Sequence, residues 1–358
     1  MNKLDWYIFR KFIGTFFFAI SLLIIVVIVF DVSENIDSFI QNHATFYEVV
    51  FHFYIPFIPY FINLFVYLFT FISVIFFTSK LAGHSEVIAI LSSGVSFKRF
   101  LRPYIIAALF LTIGSFYLGN FLIPRTDAIR REFKDKYVGN LNLSAGRNIH
   151  VQIEKDVFIY VDNYDIKRKT GHRFSIEKFD GQTMTYKLVS DRITYDTING
   201  TWQIRNYSER FMDGLHESLR KGKALDTVLP LVPTDLYNVK ESFEEMNLWE
   251  LNDYINASKL KGSDNVIAYE IEMHKRLASP AAILILTIIG AALSSRKSRD
   301  GMGLNLGIGI AITFLYILFM EFTRVFALSG ALSPMFAAWL PNIIFAFVGI
   351  YFLKKAPK

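Results

Sequence analysis

The chain has 358 residues, 53% of them apolar, with 36 phenylalanines, no cysteine and a net charge of +6. Disulfides are excluded, and unbroken apolar runs such as Phe16–Phe30 leave a helix without the polar face a soluble domain requires. The positive balance is no nucleic-acid footprint, because the basic residues gather at the ends of apolar runs, which is the pattern of membrane topology.

A membrane span needs roughly 20 mostly apolar residues. In chain order the segments 12–30, 54–77, 104–123, 277–294, 304–327 and 334–353 meet that need, three before and three after a polar block at 125–276. The first run follows Lys3, Arg10 and Lys11, as a signal peptide would. It is long, however, and Phe30-Asp31-Val32-Ser33 offers no small-x-small cleavage site, so it reads as an uncleaved span.

Short loops set orientation. Loop 78–103 carries Lys80, Lys98, Arg99 and Arg102; loop 295–302 carries Arg296, Lys297 and Arg299; the tail ends in Lys354, Lys355 and Lys358. These belong in the cytoplasm with the N-terminus. Loop 31–52 has Asp31, Glu34, Asp37 and Glu48 with no Lys or Arg, and loop 328–333 is uncharged, so both belong outside with the block 125–276.

Within the second loop, Ser85-Glu86-Val87-Ile88-Ala89-Ile90-Leu91 reads as a short amphipathic helix ended by Gly94. Ser85 or His84 is its expected cap, and Glu86 suits the dipole of its first turn. Such a helix either lies passively at the interface or transmits force from a cytoplasmic partner. Beyond the third span, Arg130, Arg131, Lys134 and Lys136 form a basic cluster. It fits the phosphates of an outer-leaflet lipid, or a solvated face paired with Asp127, Glu132 and Asp135.

From about residue 148 the hydrophobic period becomes two. Strands are expected at 150–153, 157–161, 173–176, 183–186, 192–195 and 201–204, with hairpin signals at Asp180-Gly181 and Asn199-Gly200. The spacing suggests a sandwich, jellyroll or barrel. Helices are expected at Met246–Lys261 and Asn265–Leu277, the second capped by Ser263-Asp264 and running into the fourth span.

In the fifth span Gly303, Gly307 and Ala311 form a small-residue stripe for close packing, within the chain or with a partner subunit. Glu321 and Arg324 share a face of the same helix, as a structural pair or with Arg324 meeting an anionic headgroup. The chain contains no His-Glu-x-x-His pair, Gly-x-Ser-x-Gly elbow, Walker A loop or cysteine site, which argues against catalysis of its own.

These features resemble the lipopolysaccharide export permease family LptF/LptG over essentially the whole chain. The resemblance rests on Leu4-Asp5-Trp6-Tyr7-Ile8-Phe9-Arg10-Lys11-Phe12, on Ser85–Ser96, on Pro124, on Val157–Val161 and on Tyr269–Pro280, in that order and spacing. Leu340-Pro341 looks more like LptG than LptF. The family implies an α-helical integral membrane protein of the Gram-negative inner membrane. Its six transmembrane helices (3+3) would flank an inserted periplasmic β-jellyroll-like domain, with both termini cytoplasmic. The domains would be 1–123, with a coupling helix at about 84–94, then 124–276 and 277–358.

The implied partners are a second permease of the same kind, a cytoplasmic LptB-like ATPase dimer, LptC- and LptA-like periplasmic jellyroll proteins, and lipopolysaccharide. No cofactor is expected on this chain; ATP and Mg would sit on the ATPase. Glu86 matches the glutamate of the family's coupling helix, with Ser85, Val87, Ile90 and Leu91 around it. Arg131 and Lys134 match basic positions that face lipid phosphates, joined by Arg130 and Arg324. The chain departs from LptG-like members just outside the first span, where Asp31–Asp37 is acidic rather than lysine-bearing. The rival expectation is a membrane-anchored periplasmic scaffold or binding protein that moves nothing.

Overall fold

The computed structural model describes residues 2–138, 147–165, 168–181, 183–197, 199–214, 216–236, 242–260, 266–296 and 301–356. The expected Ser263-Asp264 cap, the helix-edge residues Lys261 and Asn265, and Lys297, Arg299 and Lys358 lie outside these residues. Before the β-strands come α1 (Lys3–Gln41), α2 (Phe46–Glu48), α3 (Ile55–Gly83), α4 (Glu86–Ser92), α5 (Phe97–Tyr117) and α6 (Ile123–Tyr137). A π-helical segment, Val49–Tyr54, fuses α2 to α3, and a second, Leu118–Leu122, fuses α5 to α6. After the strands come α7 (Ser242–Glu245), α8 (Leu248–Leu260), α9 (Val266–Ser294), α10 (Gly301–Leu328) and α11 (Pro334–Lys355).

Six of the described helices are long and apolar enough to cross a membrane, three on each side of the β-strands in sequence, so the fold is a six-span helical membrane protein with an inserted antiparallel β-domain. The helices outrun the apolar segments. The 39 residues of α1 make a rod of roughly 58 Å at about 1.5 Å per residue, against a hydrocarbon core of roughly 30 Å.

In the helical unit, α1 buries a single stripe, Ile8, Phe12, Phe16, Ile20 and Ile24, at spacings of three and four. It packs on α5 through Phe12–Tyr104 and Phe9–Phe110, with ring centroids 6.2 and 6.5 Å apart. A second core joins α3, α9, α10 and α11 through Phe71, Ile75, Leu286, Ile289, Tyr316 and Phe345. Gly290 and Gly309 let these helices close: a Cβ on Gly290 would meet Phe71 and Val74 at 3.0 and 3.1 Å, and one on Gly309 would collide with Ile75. Gly303 and Gly307 meet nothing within 4 Å, and with Ala311 they form an exposed stripe. Among the described residues, these small residues read as a packing device are not packed against another helix.

Several polar side chains inside the helical unit bond across helices, while Thr70, Ser73 and Thr287 are buried without a hydrogen bond among the described residues. The Tyr316 hydroxyl donates to Asn342 Oδ1 at 3.0 Å, and Asn342 Nδ2 donates to the Ala278 carbonyl at 2.8 Å, pinning α11 to α9 and α10. Asn305 reaches Ser79 across α10 and α3 at 3.1 Å, and Ser115 reaches Asn63 across α5 and α3 at 2.7 Å.

The β-unit is one antiparallel sheet with strands in consecutive order: β1 (Arg147–Glu154), β2 (Val157–Asp165), β3 (Thr170–Asp180), β4 (Thr183–Asp196), β5 (Thr201–Asp213) and β6 (His216–Thr227). Alternate residues face a core of Ile159, Val161, Phe174, Leu188, Ile193, Trp202 and Ile204. The turns at Gly181 and Gly200 have φ of +60° and +67°, which glycine adopts without strain. The strands expected at 183–186 and 192–195 are a single strand, because Leu188 and Ser190 keep the inward alternation going between them. β6 was not anticipated: its sequence is polar because nearly all of it is exposed on the edge beyond β5.

Trp202 is wholly buried and its Nε1 donates to the Leu231 carbonyl at 2.8 Å. Trp202→Ala is expected to cost the β-unit about 3–5 kcal/mol. It should be seen as faster proteolysis within residues 147–227 of the detergent-solubilised chain, with cleavage of the helical unit unchanged.

Candidate functional sites at the two ends of the helical unit

The short helix α4 is anchored by one residue and displays others. Val87 is 1% exposed, in a core with Ile8 and Phe12 of α1, Leu81 and Ala82 of α3, and Phe100 and Leu101 of α5. Ile90 and Leu91 are half-buried against that core. Ile88 is exposed, and the Glu86 side chain is 43% exposed with an oxygen 3.7 Å from His84 Nδ1. The expected cap takes another form. Ser85 occupies the N-cap position at φ +62°, and its side chain makes no capping hydrogen bond to the helix; its carbonyl accepts the Ala89 N–H at 3.0 Å. At the far end Gly94, at φ +87°, turns the chain toward α5.

Beside α4 lies a pair that the sequence did not advertise. The Arg99 guanidinium donates from both terminal nitrogens to Asp5 Oδ1 and Oδ2, at 2.8 and 2.9 Å, joining the first turns of α5 and α1. Asp5 Oδ2 also accepts the Asn2 N–H at 2.9 Å. The Asn2-x-x-Asp5 spacing is a readable capping box; its partner, 94 residues away, leaves no local signal.

The opposite end holds an aromatic cluster of Phe39, Phe53, Tyr54, Phe57, Phe133 and Tyr137, from α1, α3, α6 and the first π-helical segment. The basic residues of α6 lie over these rings. Arg130 sits 5.4 and 5.3 Å above Phe57 and Tyr60, and Lys134 sits 5.9 Å from Phe53. Arg130 also pairs with buried Asp127 at 3.2 Å, Arg131 with Glu245 of α7 at 2.8 Å, and Lys136 with Glu48 at 3.0 Å. Hydrogen bonds to Tyr137 and Glu48 hold the Lys136 ammonium above its ordinary pKa. Of the acidic residues expected to pair with this cluster, Asp127 does, and the side chain of Asp135 lies outside the described ones; the fold brings in Glu245 and Glu48, distant in sequence. Lys134 is exposed.

Arg324 is not part of this cluster's ion pairs. It lines a separate cleft with Lys275, Ser279, Met320, Glu321 and Ala337, between α9, α10 and α11. Its Nη1 lies 3.5 Å from Glu321 Oε2, and both side chains are about half exposed.

Six helices long and apolar enough to span, three before and three after an antiparallel sheet in sequence, define a multi-pass membrane protein with one inserted β-domain. The chain belongs to the lipopolysaccharide export system permease LptF/LptG family, whose model matches residues 6–355. It is similar to the lipopolysaccharide export system permease protein LptG of Haemophilus influenzae, 20% identical over 349 residues that cover 96% of each chain. Family membership places it in the inner membrane as a component of the lipopolysaccharide export system.

Arg130→Ala would leave Asp127 buried without its counter-ion and uncover two rings, whereas Lys134 sits on the surface. Arg130→Ala is expected to destabilise the chain by about 3 kcal/mol and Lys134→Ala by less than about 0.5 kcal/mol. Thermal unfolding of the two variants in the same detergent makes the comparison.

Proposed function

We propose that this chain is the permease subunit of an ATP-driven lipopolysaccharide exporter and works without catalysis of its own. A second LptF/LptG-type permease would complete the cavity, and a cytoplasmic ATPase dimer, carrying ATP and Mg, would supply the energy. The observation that carries this reading is the construction of α4. Val87 is rooted in the core shared by α1, α3 and α5 while Glu86 and Ile88 are presented outward, so a push on α4 is delivered to three helices at once.

In this reading α4 and both termini face the cytoplasm, and the β-domain stands in the periplasm. Lipid enters sideways between α1 and α10 of paired subunits. The bare face of α1 and the exposed stripe of α10 support that route. Acyl chains lie against phenylalanine, and phosphates meet Lys134, Arg131, Arg130 and Arg324. For Arg131 and Arg130 this requires exchange: a lipid phosphate replaces Glu245 and Asp127 as the counter-ion, so capture and release are a swap between internal and external partners. Closing the cavity then moves lipid toward the β-domain and onward to LptC- and LptA-like jellyroll proteins.

Glu86→Ala tests the reading. The purified variant should unfold at the wild-type temperature, because Glu86 packs against nothing that α4 needs. Its complex should lose lipopolysaccharide-coupled ATP hydrolysis by about 100-fold, the upper range of a coupling energy between two sites. Normal coupling in that variant would rule out force transfer through α4.

A further inference from the structure

We propose that the Asp5–Arg99 pair is the directional link that turns movement of α4 into rotation or tilt of α1, beside the non-directional apolar packing around Val87, which makes Arg99 a positioning residue of the transport cycle. The inference rests on the permease reading above, and it concerns residues that reading does not use.

The argument begins with how α1 is held. Its buried stripe is apolar, and apolar contact is non-directional, so it resists separation more than rotation or sliding. The opposite face is bare: Phe18, Leu22, Ile25 and Val29 are each more than half exposed. The orientation of α1 about its axis therefore depends on polar attachments. At one end Asp31 accepts the Tyr54 hydroxyl at 2.9 Å. At the other stands the Asp5–Arg99 fork, the one ion pair α1 makes with another helix among the described residues.

That fork is fixed on both sides. Asp5 is 5% exposed and its carboxylate is held by the Asn2 N–H as well as by Arg99. Arg99 lies in the first turn of α5, where its own N–H donates to Ser96 Oγ at 3.4 Å. Only Ser93, Gly94 and Val95 separate the end of α4 from Ser96, the N-cap of α5, so the short turn that carries α4 also carries the guanidinium. Two parallel hydrogen bonds in one plane fix direction as well as distance, which a point charge does not. A displacement of α4 is thereby converted into a rotation or tilt of α1, the helix that bounds the lipid entry.

Arg99→Lys keeps the charge and removes the fork. Complexes with the second permease and the ATPase would be reconstituted into vesicles of phospholipid containing lipopolysaccharide, and ATP hydrolysis and lipopolysaccharide extraction measured together. The Arg99→Lys complex should retain its ATPase and hydrolyse ATP within about twofold of wild type, while the ATP used per lipid extracted rises about tenfold. Because the chain has no cysteine, a double Asp5→Cys/Arg99→Cys variant carries a unique thiol pair. It should be uncoupled as purified and regain extraction once a short bifunctional thiol reagent bridges the two positions. A wild-type ratio in Arg99→Lys, loss of the ATPase from that complex, or a bridged double variant that stays uncoupled would each overturn the proposal. A wild-type complex that binds no ATPase or extracts no lipopolysaccharide would instead overturn the permease reading, and the inference with it.

Discussion

Hydrocarbon offers no hydrogen-bonding partner, and the rest of this structure follows from that constraint. Backbone polar groups inside a span must be satisfied by the protein itself, and a polar side chain there gains most where a neighbouring helix supplies its partner. Asn342 does so by taking the Tyr316 hydroxyl and giving to the Ala278 carbonyl. Asn305 with Ser79, Ser115 with Asn63 and Thr78 with Tyr104 do so between pairs of helices. Lipid tails are as apolar as leucine, so these few bonds and the close approach at Gly290 and Gly309 select which helices pair. The result is one group tied by polar bonds, α3 with α9, α10 and α11, and an α1 held to α3 and α5 mainly by apolar contact.

The two ends of the helical unit use charge differently. Near α4 there is one bidentate pair, its carboxylate buried, whose geometry leaves little freedom. Near α6 there are three ion pairs with partly exposed cations over a floor of aromatic rings. The first arrangement suits transmission, because a fixed fork carries force. The second suits exchange, because each cation there has a single ion-pair contact with its carboxylate and can trade one anion for another while the rings beneath stay in place. A single chain thus holds a mechanical end and a chemical end, with the spanning helices between them.

The spans were legible because a run such as Phe16–Phe30 has no soluble alternative, and the hairpins because Asp180-Gly181 and Asn199-Gly200 demand a positive φ. β6 was not legible. An edge strand exposed on both faces has no inward row of apolar residues, although Asp213-Gly214 before it is the same turn signal as the others. The single strand β4 was read as two because Lys187 and Asp191 interrupt the outward face while Leu188 continues the inward one. For the sites, α4 and Glu86 could be located from local pattern, and the basic cluster from composition. The partners could not. Asp5 finds Arg99, Arg131 finds Glu245 and Lys136 finds Glu48 across separations that only the packed helices create.

The bare face of α1 also bears on how the molecule is made. α1 is the most apolar of the spanning helices and the least covered by its neighbours, with 17% of its span buried against 61% for α9. A helix of that kind partitions into lipid on its own free energy as soon as it leaves the ribosome. α9 opens with Glu270, Glu272, Lys275 and Arg276, and Arg276 donates to Glu272 and to the Met246 carbonyl at 3.1 and 2.7 Å. The apolar part of α9 lies mostly against other helices rather than lipid, so α1 presents its surface to the bilayer and α9 presents its surface to the protein.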